Sequence, residues 1–277
     1  MASASSSLSP CGEILRQYDR DRFLTSLFAP ADAREALFVL YAFNHEIAKT
    51  RELISETVMG LIRLTWWREA IEEIYAGKPA RAHEVVEPLA KAIRDYDLPQ
   101  DKFEALIYGR EFDLEDVLPS NMSGLQNYAQ FTNMPLIELS NMILSGQPHS
   151  DMAASAAQIV GLTGILRAVP FHARQHRCYL PEDLLKAEGL SPQDVYNGKT
   201  PERLKPVTKR VTEHINSHFA DLTMDATLRP VLLQVSRARQ YIRQLEKQDY
   251  DVFDPVFQRE PPFSVMRLMW NYTFQRI

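Results

Sequence analysis

The sequence predicts an all-α protein folded as one domain, and three observations carry that reading. Apolar residues recur every three to four positions along nearly the whole chain of 277 residues. No run of strict apolar–polar alternation is framed by turn residues, so β-structure is expected to be scarce. Most of the seventeen prolines fall between the periodic segments, where a missing N–H costs little.

The elements follow in order. Residues 33–47, AREALFVLYAFNHEI, set Ala33, Leu37, Leu40, Tyr41, Asn44 and Ile47 on or beside one stripe. The pattern repeats at 61–75, 100–118, 125–144 and 153–169. Pro30, Pro79, Pro99, Pro148, Pro181, Pro192 and Pro230 punctuate these stretches. Ser191 before Pro192 forms an N-cap with a first-turn proline. Pro135 lies inside a helical pattern and is expected to kink or split that helix. No Gly/Ser linker, low-complexity tract or repeat divides the chain. Residues 1–17 read as a flexible segment ahead of a helical domain at 18–277.

Composition narrows the functional classes. A hydrophobic share of 45% with 24% charged residues suits a globular core. A net charge of −5 gives no basic excess for nucleic acid. Two cysteines, Cys11 and Cys178, make no disulfide framework and fit a reducing compartment. The start lacks the apolar stretch of a secretion signal, and no uninterrupted apolar run approaches the ~18–20 residues of a membrane span. The expected setting is cytoplasmic, with membrane contact at most peripheral.

Five segments then occur in a telling order: YDRDRFLTSLFAPADAREALFVLYAF, WWREAIEEIYAGKP, LPQDKFEALIYGREFDL, GLTGILRAV and RCYLPEDLLKAEGL. From about Tyr18 to about Glu246 the chain resembles the squalene/phytoene synthase superfamily. The resemblance implies a single-domain isoprenoid-synthase-type helical bundle, whose enzymes join two isoprenoid diphosphates head to head. Such enzymes neutralise the departing diphosphate with Mg²⁺, which requires hard oxygen ligands. Carboxylates four apart on two facing helices supply them.

In this sequence those positions are altered. Laid over the first acidic motif of the family, 41–52 (YAFNHEIAKTRE) places Ala48, Lys49 and Glu52 where ligands belong. Over the second motif, 161–181 (GLTGILRAVPFHARQHRCYLP) places Ala168, Phe171 and His172. Only Glu52 is acidic. Glu46 lies six residues earlier, about 240° around the helix, and shares no face with it. Arg167, Arg174 and Arg177 crowd the second segment, so the field there suits an anion and opposes a dication. Tyr41, Asn44 and Tyr179 are candidate pocket-lining residues.

The same two segments resemble a non-catalytic branch of the family that serves assembly of respiratory complex I, with its bacterial relatives. The shared run is Arg167-Ala168-Val169-Pro170-Phe171-His172, and Pro170 disturbs the geometry that would align acids four apart. The resemblance implies a protein without catalytic residues, metal or cofactor. Its partners would be complex I subunits or other assembly factors. Its place would be peripheral on the inner membrane, on the matrix side in a eukaryote. Two alternatives stay open: a prenyl transferase condensing farnesyl or geranylgeranyl diphosphate with Mg²⁺, and a metal-free isoprenoid or lipid carrier using the old pocket.

Other features read plainly. His172/His176 and His214/His218 have the spacing of zinc ligands on one helix face, but neither pair has the glutamate of HExxH. Trp66 and Trp67 diverge by ~100°, one into the core and one beneath a neighbour. Arg177 beside Cys178 would lower a thiol pKa, though an inert thiol is the simpler expectation. The C-terminal stripe Val265, Leu268, Met269, Tyr272 fits either a last core helix or a contact surface.

Overall fold

A computed structural model describes residues 8–54, 56–115, 117–198, 201–222 and 225–274. Among the described residues there is no strand. Among the described residues the body is built by α1 Pro10–Tyr18, α3 Ala31–Ala48, α5 Thr57–Tyr75, α6 Val86–Asp95, α7 Gln100–Glu115, α8 Met122–Ser145, α9 Ser150–Arg174, α12 Pro201–Ser217 and α13 Arg229–Lys247. Shorter helices α2 Arg20–Ser26, α4 Thr50–Leu53, α10 Glu182–Ala187, α11 Pro192–Asn197 and α14 Pro255–Gln258 join them, and α15 Ser264–Phe274 closes the chain.

The apolar stripes pack into two clusters. One gathers α1, α3, α5, α6 and α7 around Leu37, Phe43, Trp67 and Phe103. There Phe43 meets Trp67 and Phe103 edge-on at 5.6 and 5.5 Å, contacts worth ~0.5–1.5 kcal/mol each beyond their area. The other gathers α9 and α12–α14 around Leu162, Leu166, Val211 and Phe257. Helix α8 is shared, sending Leu136, Leu139 and Ile143 into the first and Leu125, Ala129 and Ile137 into the second. Its close approach to α9 depends on Gly161: a Cβ there would lie 2.6 Å from the Asn133 amide nitrogen and 3.2 Å from Ala129 Cβ.

Three expectations need revision. Pro135 does not split helix α8, which continues past it to Ser145. The Phe131 carbonyl, which Pro135 leaves without its helical donor, faces Gly109 of α7, and the Thr132 and Asn133 side chains bond the neighbouring carbonyls of Tyr128 and Ala129. Helix α9 likewise continues through Pro170 to Arg174, held by buried Val169 and Ala173. The segment 1–17 is not wholly free: residues 10–18 form α1, capped by Ser9, with Cys11 and Leu15 buried. Residues 1–7 lie outside those described.

Elsewhere the readings hold. Ser191 and Asp194 form a reciprocal capping box with Pro192 in the first turn. Trp67 is buried while Trp66 is half-buried against it. Helix α9 is long and apolar enough by length and composition to cross a membrane, yet most of its apolar window is buried within the bundle.

Candidate functional site

Between the two clusters lies a cavity of about 340 Å³. Helix α3 contributes Asn44 and Ala48, and α9 contributes Gly164, Arg167, Ala168 and His172. The break between α1 and α2 turns Tyr18, Asp19, Asp21 and Arg22 into it. Helices α7, α8 and α13 add Arg110, Thr132, Gln234, Arg237 and Tyr241.

The break is local chemistry. Asp19 leaves helical geometry at φ −137°, ψ 67°, and its carboxylate accepts from the Arg22 backbone N–H at 3.1 Å as the N-cap of α2. The same carboxylate takes the Arg22 guanidinium at 2.7 Å. Asp21, two residues on, accepts from Arg167 at 3.1 Å and from Arg237 Nε at 2.9 Å. Arg237 also reaches Glu260 at 3.3 Å. Arg167 lies over the Tyr241 ring at 3.7 Å. Burial, with the Asp21 carboxylate adding to it, pushes the Tyr241 phenol up to about 12, so it stays a donor. Arg110 donates to Asn44 at 3.2 Å and to buried Asp113 at 3.3 Å, where Tyr128 also donates at 2.5 Å.

The site therefore holds four arginines and two carboxylates, and both carboxylates are ion-paired to arginine. That donor set does not suit Mg²⁺. An ion placed here would have to displace guanidinium groups from Asp19 and Asp21, and the facing helices α3 and α9 present alanine and a neutral imidazole. Burial, then the nearby Arg177 charge, lowers His172 to about 4. Among the described residues no three His, Cys, Asp or Glu side chains converge as a metal cluster would require.

Of the six positions laid over the acidic motifs, Ala48, Ala168 and His172 line the cavity. Lys49 turns instead to buried Glu46, which Arg63 also holds at 3.0 Å. Glu52 and Phe171 are exposed outside it. Of the three candidate anion donors only Arg167 lines the cavity. Arg174 is exposed at the end of α9, and Arg177 is buried in a separate small recess with Cys178 and Tyr179. The expected arginine triad is thus not assembled, because α9 ends at Arg174 and the chain turns away through His176 at φ 54°. Asn44 lines the cavity as expected; Tyr41 lies one layer behind, its hydroxyl accepting from Gln234 at 2.8 Å. Tyr179 packs under His172 and Tyr128 at 4.7 and 5.1 Å.

The two histidine pairs do not meet. His176 turns to Tyr196, whereas His214 and His218 touch at 3.1 Å near Gln126. Burial raises the Cys178 thiol to about 11, consistent with an inert group. Asp19, Asp21, Arg22, Arg110 and Arg237 escaped the residue-level reading. For Asp19, Asp21 and Arg22 the signal is the alternating acid and base of YDRDR at 18–22, whereas Arg110 and Arg237 carry no comparable local pattern.

The family model of the squalene/phytoene synthases matches residues 15–267. The chain belongs to the squalene/phytoene synthase family. Within that family, relatives of two kinds align along most of its length. One is "NADH dehydrogenase (ubiquinone) complex I, assembly factor 6" of Bos taurus, 31% identical over 271 residues, 94% of this chain and 81% of that one. Another is a chloroplastic phytoene synthase of an Oncidium hybrid cultivar, 26% identical over 88% of this chain and 62% of that one. Among solved structures, a dehydrosqualene synthase superposes with a TM-score of 0.82 at 16% identity, covering 96% of this chain and 94% of that one. A squalene synthase from Alicyclobacillus acidocaldarius gives 0.76, also at 16% identity, over 87% and 93%. These superpositions establish the isoprenoid-synthase bundle expected from the sequence.

Proposed function

We propose that this family member is a non-catalytic factor for assembly of respiratory complex I, acting without metal or cofactor, peripherally at the membrane that carries the complex. The observation that carries the reading is the 31% identity to the bovine assembly factor across 94% of the chain. The cavity supports it. Where the resemblance puts metal ligands, it presents Ala48, Ala168 and His172, and its two carboxylates are neutralised by arginine. Without Mg²⁺ the site lacks the Lewis acid that would assist ionisation of an allylic diphosphate, and its arginines are already engaged by carboxylates. The partners under this reading are complex I subunits or other assembly factors.

A second reading concerns the cavity alone. Arg22, Arg110, Arg167 and Arg237 all line the cavity, and although Asp19, Asp21, Asp113 and Glu260 pair with them, guanidinium groups converging on one cavity suit a small anion held without metal. Such a site is compatible with an assembly role.

Deletion of the gene in its native organism tests the function. Complex I activity should fall, while succinate oxidation and the C30 and C40 isoprenoids stay near normal. Normal complex I with missing isoprenoids would return the chain to the transferases.

A further inference from the structure

A second and larger cavity, about 630 Å³, opens between α13, α14 and α15, away from the site just described. Its lining includes Arg239, Arg243 and Lys247, spaced four apart along α13, and Arg267 from α15. Among the described residues no side-chain carboxylate lines it. In a chain of net charge −5, this is a local concentration of positive charge. Burial, and after it the neighbouring Arg243 charge, lowers the Arg239 pKa from its ordinary value.

Two glutamines at the back of this cavity keep polar atoms without partners among the described residues. Gln240 is 6% exposed, and neither its amide nitrogen nor its oxygen has a hydrogen-bond partner among the described residues. Gln244 is 9% exposed, its nitrogen bonded to the Val256 carbonyl and its oxygen without a donor. Buried amides without partners are costly, and two in one cationic pocket point to a ligand that supplies both acceptors and donors. A phosphodiester with an adjoining hydroxyl does so.

The rim decides between a free anion and a surface. Trp270 and the prolines Pro261 and Pro262 border the cavity. The same end of the molecule exposes Phe263 at 72%, Met266 at 65%, Met269 at 57%, Trp270 at 54% and Phe274 at 52%. The expected stripe of Val265, Leu268, Met269 and Tyr272 is redrawn here. Leu268 is fully buried and Tyr272 packs on Phe28 at 4.9 Å, so the outward face is Met266, Met269, Trp270 and Phe274. Large apolar side chains with an indole, beside arginine and lysine, match the membrane interface rather than bulk water.

We infer that the α13–α15 cavity is a headgroup site for an anionic phospholipid, with the exposed face of α15 resting in the interfacial layer of the membrane. Arg243, Lys247 and Arg267 would hold the phosphate, Gln240 and Gln244 would bond the headgroup hydroxyls and phosphate oxygens, and Trp270 would lie at acyl-chain level. The inference stands on a different surface from the central cavity and does not depend on the assembly reading.

Sedimentation of the full chain with vesicles tests it, using phosphatidylcholine alone and phosphatidylcholine with roughly one-fifth phosphatidylglycerol. Binding is expected to the second and not the first. The exposed pair Arg243→Glu with Lys247→Glu should weaken it about tenfold or more. Met266→Ser with Met269→Ser should weaken it too. Reversal of Lys209 and Arg210, exposed on α12, and Arg110→Met in the central cavity should each leave it unchanged. Gln240→Leu separates a built headgroup site from mere charge: it should lower selectivity for phosphatidylglycerol over a detergent-like sulfate amphiphile, with the melting temperature retained. Equal binding to neutral vesicles overturns the inference, and so does an equal loss on reversing Lys209 and Arg210. Tight binding of soluble glycerol phosphate without vesicle binding would also overturn it, leaving only a site for a free anion.

Discussion

Arg237 Nε donates to Asp21 Oδ1 at 2.9 Å across 216 positions of sequence, tying α13 to the short helix α2 on one wall of the cavity. The arginine side chain is 2% exposed and the aspartate 27%. The two are therefore unequal when one is removed. Asp21→Asn leaves a buried guanidinium with Glu260 at 3.3 Å as its remaining carboxylate. The cost should be about 2–3 kcal/mol, under the ~3–5 kcal/mol of a wholly abandoned buried charge. Arg237→Met should cost about 1 kcal/mol, because Asp21 keeps Arg167 at 3.1 Å and some contact with water. Urea midpoints with unchanged slopes decide it, and an Asp21→Asn cost no larger than that of Arg237→Met would show that Arg237 is not held in this way.

The neutral imidazole of His172 makes stability depend on pH. Its folded pKa is lowered from 6.5 to about 4, chiefly by burial. In the window between those values the unfolded chain takes up a proton that the folded chain refuses, so acid favours unfolding there. The stabilising difference is present above about 6.5 and is lost as pH falls toward about 4. At pH ~5 the wild type should have lost about 1–2 kcal/mol relative to pH ~7.5 from this group. His172→Gln should remove that part of the slope. Parallel slopes in wild type and variant would mean that His172 titrates alike in the folded and unfolded states, and so is not shifted by burial.

The cavity should take diphosphate and refuse Mg²⁺. Calorimetry should show no stoichiometric Mg²⁺ binding, and a signal abolished by Asp21→Asn or Glu52→Ala would contradict the metal-free site. Inorganic diphosphate at ~100 times its dissociation constant should stabilise the fold by about 2.7 kcal/mol, read as a rise in melting temperature. Arg110→Met should abolish the rise, and Arg174→Ala should leave it intact, because Arg174 is outside the cavity. A response lost in Arg174→Ala alone would place the anion at the end of α9.

The helices were legible because each buries one stripe, and a period near 3.6 survives in the order of residues whatever the tertiary contacts are. The prolines were legible only as local effects. Pro135 looked like a break because its lost hydrogen bond can be read from one position, whereas Gly109, which faces the freed Phe131 carbonyl, is on another helix. The site divided in the same way. Ala48, Ala168 and His172 fell into the cavity because helical spacing carries them there. Arg174 and Arg177 did not, since helix α9 ends at Arg174 and two residues of turn separate one into solvent and the other into the interior. Arg237 was out of reach of any local pattern, because its role rests on a carboxylate 216 residues away.

The basic segment after α9 also gives a cellular prediction, and burial changes its form. Charge clusters near a site suggest reversing Arg174 and Arg177 together as a test of partner contact. The two are not equivalent. Arg174 is exposed, so Arg174→Glu changes the surface and should leave the melting temperature within about 1 °C. Arg177 is 9% exposed and acts on His172, so Arg177→Glu inverts a buried charge and should destabilise the fold by several kcal/mol. Arg177→Met is the informative companion: by removing the cation beside His172 it should raise that imidazole toward its ordinary value and narrow the pH window described above. In the native organism, Arg174→Glu should lower complex I activity at normal protein abundance if this face meets the assembling complex. Arg177→Glu should lower activity only in proportion to lost protein. Full complex I activity with Arg174→Glu at wild-type abundance would remove the end of α9 from the contact surface and leave the assembly role to another face of the bundle.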